Sequence, residues 1–285
     1  MKERTAELLA DGFKFLEAPR WHAGKLWVSD VFDHKLFSVT PDGVRELVCE
    51  VPNRPSGQAF LPDGRHIVVS GTDRRLLEVV DGGLREFADL SSHAPGYVND
   101  FAVDPAGRLY VGDFGYDYDA GEPRKTTCLL RVDPDGTVVR VAEDMDFPNG
   151  SVVIDGGRTL IVAETWECRI TAFDVSEAGE LSNRRIFADL EERQPDGLCA
   201  DADGAIWVGC FNTGEFLRLL DGGEITDRFR FNGSAISCVL GGDDGHTLFM
   251  TTFLGPAHEI ATEKRKSAIF TGRVPVGGFP SGSRI

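Results

Sequence analysis

Short apolar runs recur along the chain with one shape: LWVSD from 26, IVVSG from 67, LYVGD from 109, LIVAE from 160, IWVGC from 206 and LFMTT from 248. Each is rich in β-branched and aromatic residues and is bounded by turn residues, which predicts a strand. With Trp27, Val68, Tyr110, Ile161, Trp207 and Phe249 as markers, the intervals are 41, 42, 51, 46 and 42 residues. A period in the forties with room for four short strands is the spacing of a propeller blade. A strand is expected before each marker, ending in turns such as PDGR at 62–65, PAGR at 105–108 and DGGR at 155–158. A third strand follows at LFSV from 36, LLEV from 76, LLRV from 129, ITAF from 170, FLRL from 216 and AIF from 268. Sustained 3.6-residue periodicity is missing, so no helix is predicted.

A fourth strand closes each unit, for example VRELVCEV from 44 and NRRIFADL from 183, but the sixth unit has none of its own. Residues 6–13, AELLADGF, read as that strand and would close the ring, removing two unpaired sheet edges. The prediction is an all-β, six-bladed β-propeller with four antiparallel strands per blade, forming one domain over residues 1–285.

The first strand of each blade lines the central axis. Eight residues before the turn glycines Gly64, Gly107, Gly157, Gly204 and Gly245 stand Ser56, Asn99, Asn149, Asp196 and Ser237. In the first blade the HAGK turn, shortened by one residue, brings Glu17 into register. A core position would be apolar, whereas all six of these residues offer oxygen. Asn-Gly ordinarily marks a hairpin turn, and Asn149-Gly150 could merely shape the entry to a strand. The ring reading instead makes Asn149 an axial ligand. Two carboxylates and two amides converging there suit a divalent cation, with calcium favoured by hard oxygen donors and zinc, magnesium or manganese as alternatives. The connection between second and third strands returns to the ring's face. It is about ten residues longer in the third blade, 114–127, and in the sixth, 253–267. Tyr116, Tyr118, Arg124, Lys125 and His258 on these loops are candidates to touch substrate.

Composition narrows the partners. A formal net charge of -16 argues against nucleic acid and anionic membrane. No apolar run approaches the roughly 18 residues of a membrane span. The start MKERTAELLADGF lacks the apolar core of a secretory signal. The six cysteines form no CxxC pair, so reduced thiols and a cytoplasmic location are expected. No GxSxG is present and the six histidines share no pattern, which weakens a Ser-His-Asp triad. His22 and His66 fall near turns on the opposite face. Asp100 should point away from the axis, to brace the site or to satisfy backbone amides.

The segments EAPRW (17–21), SGQAFLPDGR (56–65), NDFAVDPAGRLYVGDFG (99–115), FPNGSVVIDGGRTLIVAET (147–165) and PDGLCADADGAIWV (195–208) together resemble the senescence marker protein (regucalcin), gluconolactonase and related lactone hydrolases. The resemblance covers nearly the whole chain. It implies a six-bladed propeller with one axial divalent metal held by Glu17, Asn149 and Asp196. It also implies Asn99 as a further contact to metal, water or substrate, and Asp196 as general base. The expected activity is opening of a lactone ring, metal-bound water attacking the carbonyl of a small-molecule lactone or ester. One departure stands out: sugar-lactone members carry an arginine two residues before the ND pair, and here that position is Tyr97. A less hydroxylated or more aromatic ring would suit tyrosine better. Rival readings are hydrolysis of another ester or a phosphotriester, the condensation performed by strictosidine synthase on a related scaffold, and a calcium-binding or regulatory propeller without turnover.

Overall fold

In the computed structural model, which describes residues 1–81 and 83–278, the strands form six sheets, each built around antiparallel pairs of strands consecutive in the chain. The inner strands, blade one to blade six, are Leu16–His22, Pro55–Phe60, Val98–Val103, Pro148–Ile154, Pro195–Ala200 and Ser234–Gly241. Each inner strand touches the inner strands of both flanking blades, and the sixth touches the first. The ring is therefore closed, and the chain is a six-bladed β-propeller.

The expected closing strand is present. Glu7–Phe13 pairs antiparallel with Ser267–Arg273 and completes the sixth blade, with Phe13 fully buried. An unforeseen two-residue strand, Lys2–Glu3, adds in parallel to the outer strand of blade five at Asp227 and Arg228. Among the described residues the only helical segment is a single 3-10 turn, Ala257–Glu259, in the long loop of blade six.

The core lies between blades. One apolar cluster joins blades two and three through Ile67, Leu76, Phe101 and Leu109. Another joins blades four and five through Ile161, Ile170, Ile206 and Leu217. Equivalent clusters fill the other gaps. Second strands such as Thr159–Glu164 and Ile206–Cys210 are buried along their whole length. Burial on both faces explains why they read as unbroken apolar runs instead of alternating ones. Outer strands such as Arg45–Glu50 face solvent and carry charge.

Strand register revises one marker and one ring position. In blade two Ile67, opposite Ala59, takes the place of Tyr110 opposite Ala102, so Val68 is one residue late. In blade six Phe249 pairs with Val239, and counting back to the axis reaches Ile236 instead of Ser237. The hairpin end is longer there, so eight residues from Gly245 falls short. Blade one behaves as expected: the tight turn at Ala23 and Gly24, both with positive φ, is shorter and brings Glu17 level with Asn99.

Candidate functional site

The corrected axial ring is Glu17, Ser56, Asn99, Asn149, Asp196 and Ile236. The first five line a cavity of about 400 Å³ at the mouth of the channel, whereas fully buried Ile236 packs with Phe15 and Phe253. Asn149 and Gly150 both lie within the strand Pro148–Ile154. The Asn-Gly pair is thus not a hairpin turn. Gly150 is needed for close approach: a Cβ there would stand 2.6 Å from the Asp196 carbonyl oxygen and from the Gly197 Cα. At Gly197 a Cβ would meet Ser237 Oγ. Side-chain-free positions next to the ring residues let the inner strands crowd together and bring their oxygens to the axis.

Neighbouring blades hold the ring. Ser56 Oγ donates to Asn99 Oδ1 at 3.1 Å, and Ser29 Oγ donates to the Ser56 carbonyl at 2.6 Å. Asn149 Nδ2 donates to Thr165 Oγ1 at 3.2 Å, and that hydroxyl donates to the Pro195 carbonyl beside Asp196 at 2.8 Å. Asp100 turns away from the cavity and satisfies a backbone amide, accepting from the Phe101 N–H at 2.8 Å; it also accepts from Arg20 Nη2 at 2.9 Å and bonds no ring residue.

The electrostatics are those of crowded carboxylates. Burial, and then the Asp100 charge, push the Asp196 carboxyl up to about 8; Asn149 beside it pulls the other way. That pull does not extend to Oδ1, which is buried without a hydrogen-bond partner. Burial and the charges of Asp196 and Asp100 likewise push Glu17 well above the usual carboxylate range. Glu17 is only half-buried by surface exposure because one side opens to the channel, yet it is deeply surrounded by protein. Two repelling carboxylates, an orphaned oxygen and two amides fit a hard divalent cation. Among the described residues no three His, Cys, Asp or Glu side chains are placed to hold a metal ion together, so any such site here is built partly from amides.

The loop candidates divide. Tyr97, Tyr118 and His258 line the cavity. Tyr116 does not: it is buried behind the wall, where its hydroxyl accepts from Trp166 Nε1 at 3.0 Å. Arg124 is held outside by Asp146 and Glu167, and Lys125 by Glu122 at 2.9 Å. His22 stacks on Phe60 with ring centroids 3.7 Å apart and His66 bonds Gln58 at 2.9 Å, both remote from the cavity as expected. Sequence reasoning passed over Phe15, Arg54 and Phe147. They stand two residues before Glu17, Ser56 and Asn149, as Tyr97 stands before Asn99. The repeat alignment that found the ring could have found this second tier. Trp166, just after the second strand of blade four, carried no such signal.

The profile of the SMP-30/Gluconolactonase/LRE-like region matches residues 15–253. The chain belongs to this family. It is 29% identical to regucalcin of Danio rerio over 210 residues, covering 72% of this chain and 68% of that protein. It is 30% identical to a pentonolactonase of Haloferax volcanii over 261 residues, covering 88% and 86%. In three dimensions it is similar to a luciferin-regenerating enzyme, with a TM-score of 0.84, 19% identity and 97% of each chain covered. It is also similar to a gluconolactonase of Xanthomonas campestris, with a TM-score of 0.78, 24% identity and coverage of 94% and 89%. These last two likenesses bear on the fold alone.

Proposed function

We propose that this family member is a metal-dependent hydrolase that opens a lactone ring, with Asp196 as general base. The observation that carries the reading is Asp196 Oδ1, buried and without a partner, at the floor of an open cavity among Glu17, Asn99 and Asn149. A carboxylate oxygen left unpaired at a buried site is costly unless something else engages it.

Glu17, Asn149 and Asp196 would hold a divalent cation, calcium first by donor type, with Asn99 as a further oxygen. When bound, that cation would polarise a substrate carbonyl and lower the pKa of water beside it. The chain's own residues do the rest. Asp196 takes the proton from the attacking water and returns one to the leaving alkoxide. Asn99, anchored by Ser56, orients the carbonyl end of the substrate. The pentonolactonase relative supports a small cyclic ester as the substrate class. A second reading, cation binding without turnover, draws support from the regucalcin relatives and from a neighbour described as a calcium-binding protein.

Proton release on a panel of lactones separates the two. Wild type, chelator-treated protein and Asp196→Asn are compared at fixed pH. Acid release from wild type alone, restored by calcium after chelation, is expected. Turnover undiminished in Asp196→Asn would remove it as the base, and silence across the panel would leave the binding reading.

A further inference from the structure

The cavity has two unlike storeys. Its floor is the ring of oxygens. Above it, the second tier and the loops form a continuous aromatic wall across blades three and four. The centroids of Tyr97 and Phe114 are 6.0 Å apart, those of Phe114 and Phe147 4.3 Å, and those of Phe147 and Trp166 5.2 Å. Phe32 and Phe211 continue the lining on the other side.

Most polar side chains of this upper storey are already engaged by the protein, although no contact within the described residues holds the Tyr118 hydroxyl or the His258 ring, which also line it. Arg54 pairs with Asp119 at 2.7 Å, and its guanidinium lies 5.1 Å from the Phe32 ring centroid and 5.8 Å from that of Tyr97. Tyr97 donates its hydroxyl to Asp117 at 3.4 Å. Trp166 spends its N–H on Tyr116 and Thr165 its hydroxyl on Pro195. A ligand studded with hydroxyls would lose water here and find few free partners, which is unfavourable for every group left unpaired. A flat apolar body would instead lie against aromatic faces and leave water with them.

We infer that the substrate is an aryl-fused or aryl-substituted lactone, its ester turned to the oxygen ring and its aromatic body against Tyr97, Phe114, Phe147 and Trp166. This rests on the lactonase reading and narrows it away from polyhydroxylated sugar lactones.

The test compares kcat/KM for dihydrocoumarin and glucono-δ-lactone on the calcium-loaded protein, with spontaneous opening subtracted. A ratio of at least about 100 in favour of the aryl lactone is expected, a difference that a pocket matching or mismatching polar groups readily produces. Trp166→Ala should narrow it at least about tenfold, in the range of lost aromatic burial. Should that variant fail to fold, Tyr97→Ser makes the same comparison from the opposite end of the wall. A wild-type ratio near or below one, or a ratio unchanged in the folded variants, overturns the inference. If neither lactone is opened, the lactonase reading fails on its own, and calorimetry decides the ligand class with two lactams, 3,4-dihydro-2-quinolinone and gluconolactam. Tighter binding of the aryl lactam, weakened by Trp166→Ala, upholds the aromatic wall as the recognition element. No binding of either, or preference for gluconolactam, overturns it.

Discussion

Removing one axial carboxylate should stabilise the chelated protein and weaken its response to calcium. Asp196 has an ordinary value of 3.8 and is pushed to about 8 by burial and then by Asp100. The folded protein therefore holds a proton that the unfolded chain releases. The contribution is fully favourable below about pH 4 and is lost as pH rises toward 8. At pH 7 the cost reaches about 4 kcal/mol, an upper bound because the channel admits some water. Asp196→Asn keeps the shape and removes the charge. In chelator at pH 7 the variant should melt higher than wild type, by up to roughly 8 °C for a chain of this size. Calcium should narrow the gap. At a hundredfold excess over its Kd it would add about 2.7 kcal/mol to wild type and much less to the variant. Thermal melts of both proteins with and without calcium, at pH 5 and pH 7, make the measurement. A variant less stable than wild type in chelator at pH 7, with equal calcium response in both, would refute the account of the ring as a cation site held apart by like charges.

Other consequences follow from particular contacts. His66 is 7% exposed against Phe60 and Trp27, and burial pulls it down to about 4 from 6.5. Because the unfolded chain binds that proton first, stability is full above pH 6.5 and falls by about 3 kcal/mol as pH drops toward 4. Urea midpoints of wild type and His66→Gln across that window should diverge, and parallel curves would count against the burial argument. Gly150→Ala forces a Cβ to within 2.6 Å of the Asp196 backbone. It should cost about 2 kcal/mol or more and blunt the calcium response measured by melting, whereas an unperturbed response would mean the strands have room to give. Deleting residues 1–13 removes the partner of Ser267–Arg273 and bares the last blade's edge. Light scattering should show aggregation, and a monomer with wild-type melting would contradict closure as a source of stability.

How much was legible in the chain depends on the range of the signal. Strands, turns and the closing N-terminal segment follow from local alternation and from glycine-containing hairpins, and all six blades could be placed from them. The ring residues Glu17, Asn99, Asn149 and Asp196 were reachable because a repeat converts sequence distance into angular position about an axis. The same counting missed at Ser237, since the longer hairpin end of blade six lets Ile236 take the axial place. Tyr116 looked like a loop residue free to touch substrate, but the fold turns it behind Trp166.

By itself, then, the sequence determined a closed six-bladed ring and a set of oxygen donors repeating along it, because both depend on patterns a few residues long repeated at a steady period. The raised carboxyls, the orphaned Asp196 oxygen and the aromatic wall were decided only by tertiary structure. Asp196 owes its shift to burial and to Asp100, two blades away, and the wall joins side chains from two blades and their loops. Such properties arise from summed desolvation, charge and contact among groups far apart in the chain, and those sums exist only once the ring has closed.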